Sequence, residues 1–199
     1  MKLRYAGTDT KKPIVHFVNC IGKDVGSLIV SHLSASFPDY QFVDINAHEG
    51  IDVEGYFSEI EDFGSPLAVI ISGSMSSVND DEHWIAAVKE LARTAMDPSH
   101  FVPLLGVCFG HQIIAQVAGA KVESDSRHHE GMVTLELQQD IEGLAPKAAK
   151  IACYAYHQDI VLGCPSSFHT LLSGDGVINQ GMTHNTLPIM THQATLKLA

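Results

Sequence analysis

The chain has 199 residues, 45% of them hydrophobic and 18% charged, with a formal net charge of −11. That length suits one globular domain with a full core. The acidic balance, with no basic stripe to offset it, argues against a nucleic-acid partner, and no apolar run is long enough to make a membrane one.

The N-terminal stretch MKLRYAGTDTKKP is polar and lacks an apolar signal core, so a cytoplasmic location is expected. Residues 13–19 (PIVHFVN) are apolar and β-branched, which predicts a buried strand. A helix is predicted over 24–37, with Val25, Leu28, Ile29 and Leu33 at helical spacing. A strand follows at 41–45. The stretch 46–65 is acidic and the least regular of the chain, and it is expected on the surface. Residues 67–71 (LAVII) are continuously apolar, as in strands covered on both faces. A helix over 81–94 has Asp80 or Asp81 available as its cap and Trp84, Ile85, Val88 and Leu91 along one face. Residues 103–107 predict a fourth buried strand, and a helix over 110–118 follows at once. Strands then dominate, at 132–137, 151–156, 169–172 and 187–190.

Alternating strands and helices through the first two thirds predict a mainly parallel sheet between helices. No repeat, low-complexity tract or linker divides the chain. Twelve histidines are present, but the adjacent pair His128 and His129 would point to opposite faces of a strand. No histidine, cysteine or carboxylate set repeats at ligand spacing, so no metal is expected. Cys20, Cys108, Cys153 and Cys164 form no C-x-x-C pair, and reduced thiols are expected.

Cys108 stands apart. Gly106-Val107-Cys108-Phe109-Gly110-His111-Gln112 joins a buried strand to a helix in the pattern G-x-C-x-G. This is the cysteine counterpart of the strand-turn-helix elbow that presents a serine in hydrolases. Small glycines allow a tight turn, the positive helix end favours a thiolate, and the Phe109 N–H faces any oxyanion formed on an attacked carbonyl.

The run C-F-G-H-Q resembles the C-x-G-x-Q signature of the class I glutamine amidotransferases. Ile71-Ser72-Gly73-Ser74 resembles that family's oxyanion loop, and Tyr156-His157-Gln158-Asp159-Ile160-Val161 resembles its Y-H-Q-D-x-V segment. The matches cover residues 13–161. The resemblance implies an α/β, flavodoxin-like three-layer sandwich with a mainly parallel central sheet, as a single domain over residues 1–199. It implies Cys108 as nucleophile on a glutamine side-chain amide, through a γ-glutamyl thioester. Gly73, Ser74 and Phe109 would serve the oxyanion, and Gln112 and His157 would bind substrate. It implies a glutamine or γ-glutamyl substrate, no cofactor, and a separate synthetase as possible partner. The absence of a G-x-x-x-x-G-K-[ST] loop agrees with no ATP use.

The family's late F-Q-x-H-P-E motif, which supplies the base and its carboxylate, is not present. In Met190-Thr191-His192-Gln193-Ala194-Thr195-Leu196-Lys197, two registers are open. One makes His192 the catalytic base without its carboxylate. The other matches Gln193 to the motif Gln and leaves Thr195 and Lys197 in place of His and Glu. His157 is then the alternative base. The chain ends at Ala199, where the family normally continues with a closing helix, so that helix is expected to be missing.

Overall fold

The computed structural model describes residues 12–100 and 102–194. The first elements in chain order are β1 (Ile14–Asn19), α1 (Lys23–Ser36), β2 (Gln41–Asn46), α2 (Val53–Phe63), β3 (Ala68–Ile71), α3 (His83–Ala95), β4 (Leu104–Val107) and α4 (Phe109–Val117). Five strands complete it: β5 (Lys121–Leu137), β6 (Lys150–Leu162), β7 (Phe168–Gly174), β8 (Val177–His184) and β9 (Ile189–His192).

The apolar, β-branched strands form a parallel block in the order β2-β1-β3-β4-β9. Side chains of β1 alternate faces. His16 meets Tyr56 of α2, and Asn19 lies against Gly26 of α1, so these two helices cover opposite faces. Helix α3 buries Trp84, Ile85, Val88 and Leu91, each contributing about 1.5–3 kcal/mol. Helix α4 is buried from Phe109 through Ala115 and packs on α3, β3, β4 and β9.

Beyond β9 the sheet changes character. Strands β8, β6, β5 and β7 are antiparallel, and a β7–β8 pairing closes them into a four-stranded ring. The ring has its own small core of Leu135, Leu137, Leu171 and Leu172. This corrects the expected flavodoxin-like sandwich. The fold is α/β, but its sheet is mostly antiparallel, because the ring strands are the long ones. The cause is visible in β5 and β6. Only their apolar ends, 132–137 and 151–156, carry a strand signal. Their polar parts, including Glu123–Glu130 and His157–Asp159, are equally extended, and they pair across the two strands on either side of an irregularity between Ser124 and His129.

Smaller corrections have equally local causes. Residues 53–63 are helical where an irregular surface stretch was expected, capped by Asp52 and burying Tyr56, Phe57 and Ile60 under an acidic exterior. Val25 and Leu28 of α1 are exposed, and Gly26 is its buried position. Helix α3 starts from Glu82 with no side-chain cap, rather than from Asp80 or Asp81. Strand β8 carries a polar Asn-Gln-Gly centre that gave no strand signal. The polar N-terminal stretch and Thr195 and Lys197 lie outside the described residues. No helix among those described is long and apolar enough to cross a membrane.

Candidate active site

Strand β4 ends at Val107 and α4 begins at Phe109, so the chain turns on Cys108 alone. Its φ of 52° and ψ of −105° lie outside the regions open to ordinary residues. Such backbone costs on the order of 1–3 kcal/mol and persists where its surroundings enforce it. They do so here. Cys108 N–H donates to the His192 carbonyl (2.9 Å), Gln112 N–H to the Cys108 carbonyl (3.1 Å) and Gly110 N–H to the Ser72 carbonyl (3.1 Å). A Cβ on Gly106 would lie 2.6 Å from the Gly110 carbonyl oxygen, and one on Gly110 would lie 2.2 Å from that of Ile71. Both glycines of the elbow are therefore required by backbone packing.

Strand β3 delivers Ser72, Gly73 and Ser74 beside this turn. Cys20 N–H donates to Ser72 Oγ (2.9 Å), which donates in turn to the Gly73 carbonyl (2.9 Å). A Cβ on Gly73 would stand 3.5 Å from Cys108 Cβ and 4.0 Å from its sulfur, so the Gly73 backbone flanks the Cys108 side chain. The Phe109 N–H belongs to the first turn of α4, whose amides have no partner within the helix.

A cavity of about 340 Å³ lies over Cys108, within the range of small-molecule sites. Its lining includes Ser74, Ser77, Gln112, Tyr156, His157 and Asp159. Two chains of hydrogen bonds converge there. Gln112 Nε2 donates to the Asp159 carbonyl (3.0 Å) and to Gln193 Oε1 (3.2 Å), while Gln193 Nε2 approaches Cys108 sulfur at 3.6 Å. Ser77 Oγ donates to Asp159 Oδ2 (2.5 Å), tying the loop after β3 to β6.

His157 Nδ1 lies 3.2 Å from the Asp159 carbonyl, which can only accept, so Nδ1 carries the proton. Its Nε2 is buried and makes no hydrogen bond. Burial, and next the neighbouring His129, push the ring down to about 4, so it is neutral at pH 7.

His192 ends β9, half-buried, with its carbonyl on the Cys108 amide. Burial lowers its pKa, and its side chain does not line the cavity. The pairing of Val107 with His192 sets Gln193 level with Cys108. The structure thus brings Cys108, Ser74, Gln112 and His157 to the lining of one cavity, with Gly73 and Phe109 beside Cys108. Sequence reasoning weighed Gln193 only as a motif match and did not find Ser77. The register match of Met190-Thr191 before Gln193 was the available signal for the first.

A cysteine on an enforced strand-to-helix turn, with a glycine loop at its side and a polar cavity above, defines an α/β domain of the nucleophile-elbow kind. The chain belongs to the class I glutamine amidotransferase family, whose model matches residues 40–194. It is 30% identical over 134 residues to one subunit of the glutamine-hydrolyzing GMP synthase of Sulfolobus acidocaldarius, a match covering 64% of this chain and 63% of that one. It is also 30% identical over 131 residues to gamma-glutamyl peptidase 5 of Arabidopsis thaliana, covering 62% and 51%. The matches thus span about half to two thirds of these relatives. A glutamine amidotransferase structure from Thermotoga maritima superposes with a TM-score of 0.73 at 18% identity, covering 92% of this chain and 75% of the other, and shares the fold.

Proposed function

We propose that the chain cleaves a γ-glutamyl amide through Cys108, and the observation that carries this is the enforced left-handed turn placing Cys108 under the cavity. The sulfur adds to the amide carbonyl. Amide N–H groups of Phe109 and of Gly73 or Ser74 meet the oxyanion. The C–N bond breaks, ammonia or an amine leaves with a proton, and a γ-glutamyl thioester remains on Cys108. Water, or an acyl acceptor, then breaks the thioester and restores the thiol. Gln112 holds the glutamyl part. Of the two candidate bases, His157 lines the cavity and its buried Nε2 makes no hydrogen bond, whereas His192 does not line it, so we assign the proton to His157. Likeness to a GMP synthase component supports release of ammonia to a separate synthetase. Likeness to a γ-glutamyl peptidase supports a peptide-like amide as substrate.

One observation favours a second reading, a non-catalytic binding protein. A group beside the sulfur is the Gln193 amide, whose Nε2 donates toward it and which is no base for a thiol proton. Both readings meet in one experiment, with glutamate release and labelling by a glutamine-like chloroketone measured on the same preparation. Cys108 is expected to label ahead of the other thiols, because burial pushes Cys20 up to about 12 and also raises Cys153 and Cys164. Release is expected to be slow, since loss of an orienting carboxylate costs about ten-thousandfold in a serine protease. Brisk release abolished by His192→Ala would transfer the base role to His192. Neither labelling nor release would leave the binding reading.

A further inference from the structure

The most heavily bonded side chain near the cavity is one that the cleavage scheme does not use. His129 is buried, with a relative exposure of 1%. Its Nδ1 lies 2.8 Å from Asp175 Oδ2 and its Nε2 lies 2.8 Å from Asp125 Oδ2. A neutral imidazole has one N–H and one lone pair, so two carboxylate oxygens, one at each nitrogen, are satisfied together only by the doubly protonated ring. The two aspartates reach it from separate elements. Asp125 stands in the irregularity of β5 between Ser124 and His129, and Asp175 stands in the tight turn between β7 and β8 with a φ of 53°. A bulge re-aims the side chains it carries. Arg127 Nη2 also lies 2.9 Å from His129 Nδ1 and can only donate, so it competes with Asp175 for that nitrogen; Arg127 has its own acceptors in the Asp175 carbonyl and carboxylate, which leaves Nδ1 to donate to Asp175 Oδ2.

The face of His129 carries the connection to the site. Its ring stacks on His157 with centroids 4.6 Å apart and planes 6° from parallel. His157 is the cavity histidine whose Nδ1 is tied to the Asp159 carbonyl and whose Nε2 is unbonded. A cation on one face of an imidazole opposes protonation of that imidazole. A ring fixed at both nitrogens also fixes the plane of the ring stacked on it.

We propose that Asp125 and Asp175 hold His129 as an imidazolium and that His129 is a positioning residue, keeping the stacked His157 ring uncharged at rest, as a proton acceptor must be, and fixed in plane at the Cys108 cavity. This deepens the cleavage reading and rests on it for its use, though not for its test. The charged and titratable groups around His157 are Asp125, Arg127, His128 and His129 from β5, Asp159 from its own strand, Asp175 from the β7–β8 turn, Cys108 from the turn before α4, and His111 from α4. Burial is the largest influence holding His157 low, and His129 is the next. Losing the charge on His129 therefore raises the pH at which His157 takes up a proton.

The test is long-range proton–nitrogen spectroscopy of the histidine rings across pH in the full chain. In the parent at neutral pH, His129 is expected to show two protonated nitrogens, and His157 a protonated Nδ1 with a bare Nε2. In His129→Phe, which keeps a flat ring for the stack, the His157 titration is expected to move to higher pH. A singly protonated His129 in the parent would overturn the proposal, and so would an unmoved His157 titration in a folded His129→Phe. Should that variant fail to fold, Asp125→Leu asks the same question at a carboxylate that, unlike Asp175, is not among the leading charges acting on His157. It leaves Nε2 without an acceptor, and loss of that proton from His129 together with an upward move of His157 is the expected result. Chloroketone labelling of Cys108 in the parent is read separately. Its failure would remove the cleavage reading while the ring spectra still decide the positioning.

Discussion

Cys108 on the parallel-block wall and His157 on the ring wall of one cavity are held by different means. In the parallel block, Cys108 is fixed by steric demands a few residues apart and by the strand beside it. Gly106 and Gly110 admit no Cβ, and the His192 carbonyl takes its amide. In the antiparallel ring, His157 is fixed by polar groups that come together only when the ring closes, such as Asp175, 46 positions from His129. The first arrangement depends on backbone shape, and the second depends on charge and protonation state. Perturbing pH should therefore disturb the placement of His157 more directly than the elbow, whatever it does to the stability of the whole fold, and perturbing backbone shape should do the reverse.

Acid gives the largest expected effect. His16 in β1, His111 in α4 and His157 in β6 are buried, and burial is the leading reason their pKa values fall to about 4, about 3 and about 4. The unfolded chain takes up protons at these rings near 6.5. Between 6.5 and those values the unfolded state binds more protons than the folded one, so stability rises with pH and is lost on acidification. A tenfold difference in proton affinity between folded and unfolded chain corresponds to about 1.4 kcal/mol, so the three rings together cost several kcal/mol by the bottom of the window. Denaturant midpoints measured from pH 7 down to pH 4 should fall steadily. A flat profile would show that these rings are not held neutral by burial. Two separate transitions would show that block and ring unfold independently.

The next effect is confined to the block. Gly73→Val should lower turnover by about a hundredfold or more, the typical cost of one oxyanion donor, with folding little changed. A first side-chain carbon there meets nothing nearer than Cys108 Cβ at 3.5 Å, but it sits where a substrate carbonyl would approach the sulfur. Equal turnover in a folded variant would take Gly73 out of the site. A loss of stability matching the loss of rate would make its role structural.

The contrast also decides what could be read from the sequence. The parallel strands were legible because both their faces are buried, and they read as unbroken apolar runs such as residues 67–71. The elbow was legible because its constraint is written within five residues, Gly106 to Gly110. The ring was not legible. Its strands carry Glu, Ser, Asp, Arg and His at extended positions, and pairing with distant strands overrides their local preference. His129 was weighed only as one of two adjacent histidines. Its partners Asp125 and Asp175 become neighbours through strand pairing, which no single-sequence spacing encodes. Gln193 beside the sulfur was within reach of register matching, but the choice needed the pairing of β4 with β9.

The smallest expected effect separates backbone strain that serves the site from strain that does not. Ala148, between β5 and β6, has a φ of 65°, close to the 52° of Cys108. At Cys108 the left-handed backbone places the sulfur under the cavity. Ala148 is exposed, its N–H donates to the Leu137 carbonyl (2.8 Å), and it does not line that cavity. A left-handed residue with a Cβ costs roughly 1–2 kcal/mol, while glycine adds about 0.4–1 kcal/mol of freedom to the unfolded chain. Ala148→Gly should therefore stabilise by a few tenths to about 1 kcal/mol. For a domain of this size that raises Tm by up to about 2–4 °C. Cys108 labelling should not change. Thermal unfolding and labelling of parent and variant side by side check both. A lowered Tm would show that the Ala148 methyl makes a contact outweighing its backbone strain. Altered labelling would show that the β5–β6 turn is coupled to the elbow, and the division between the two walls would then have to be redrawn.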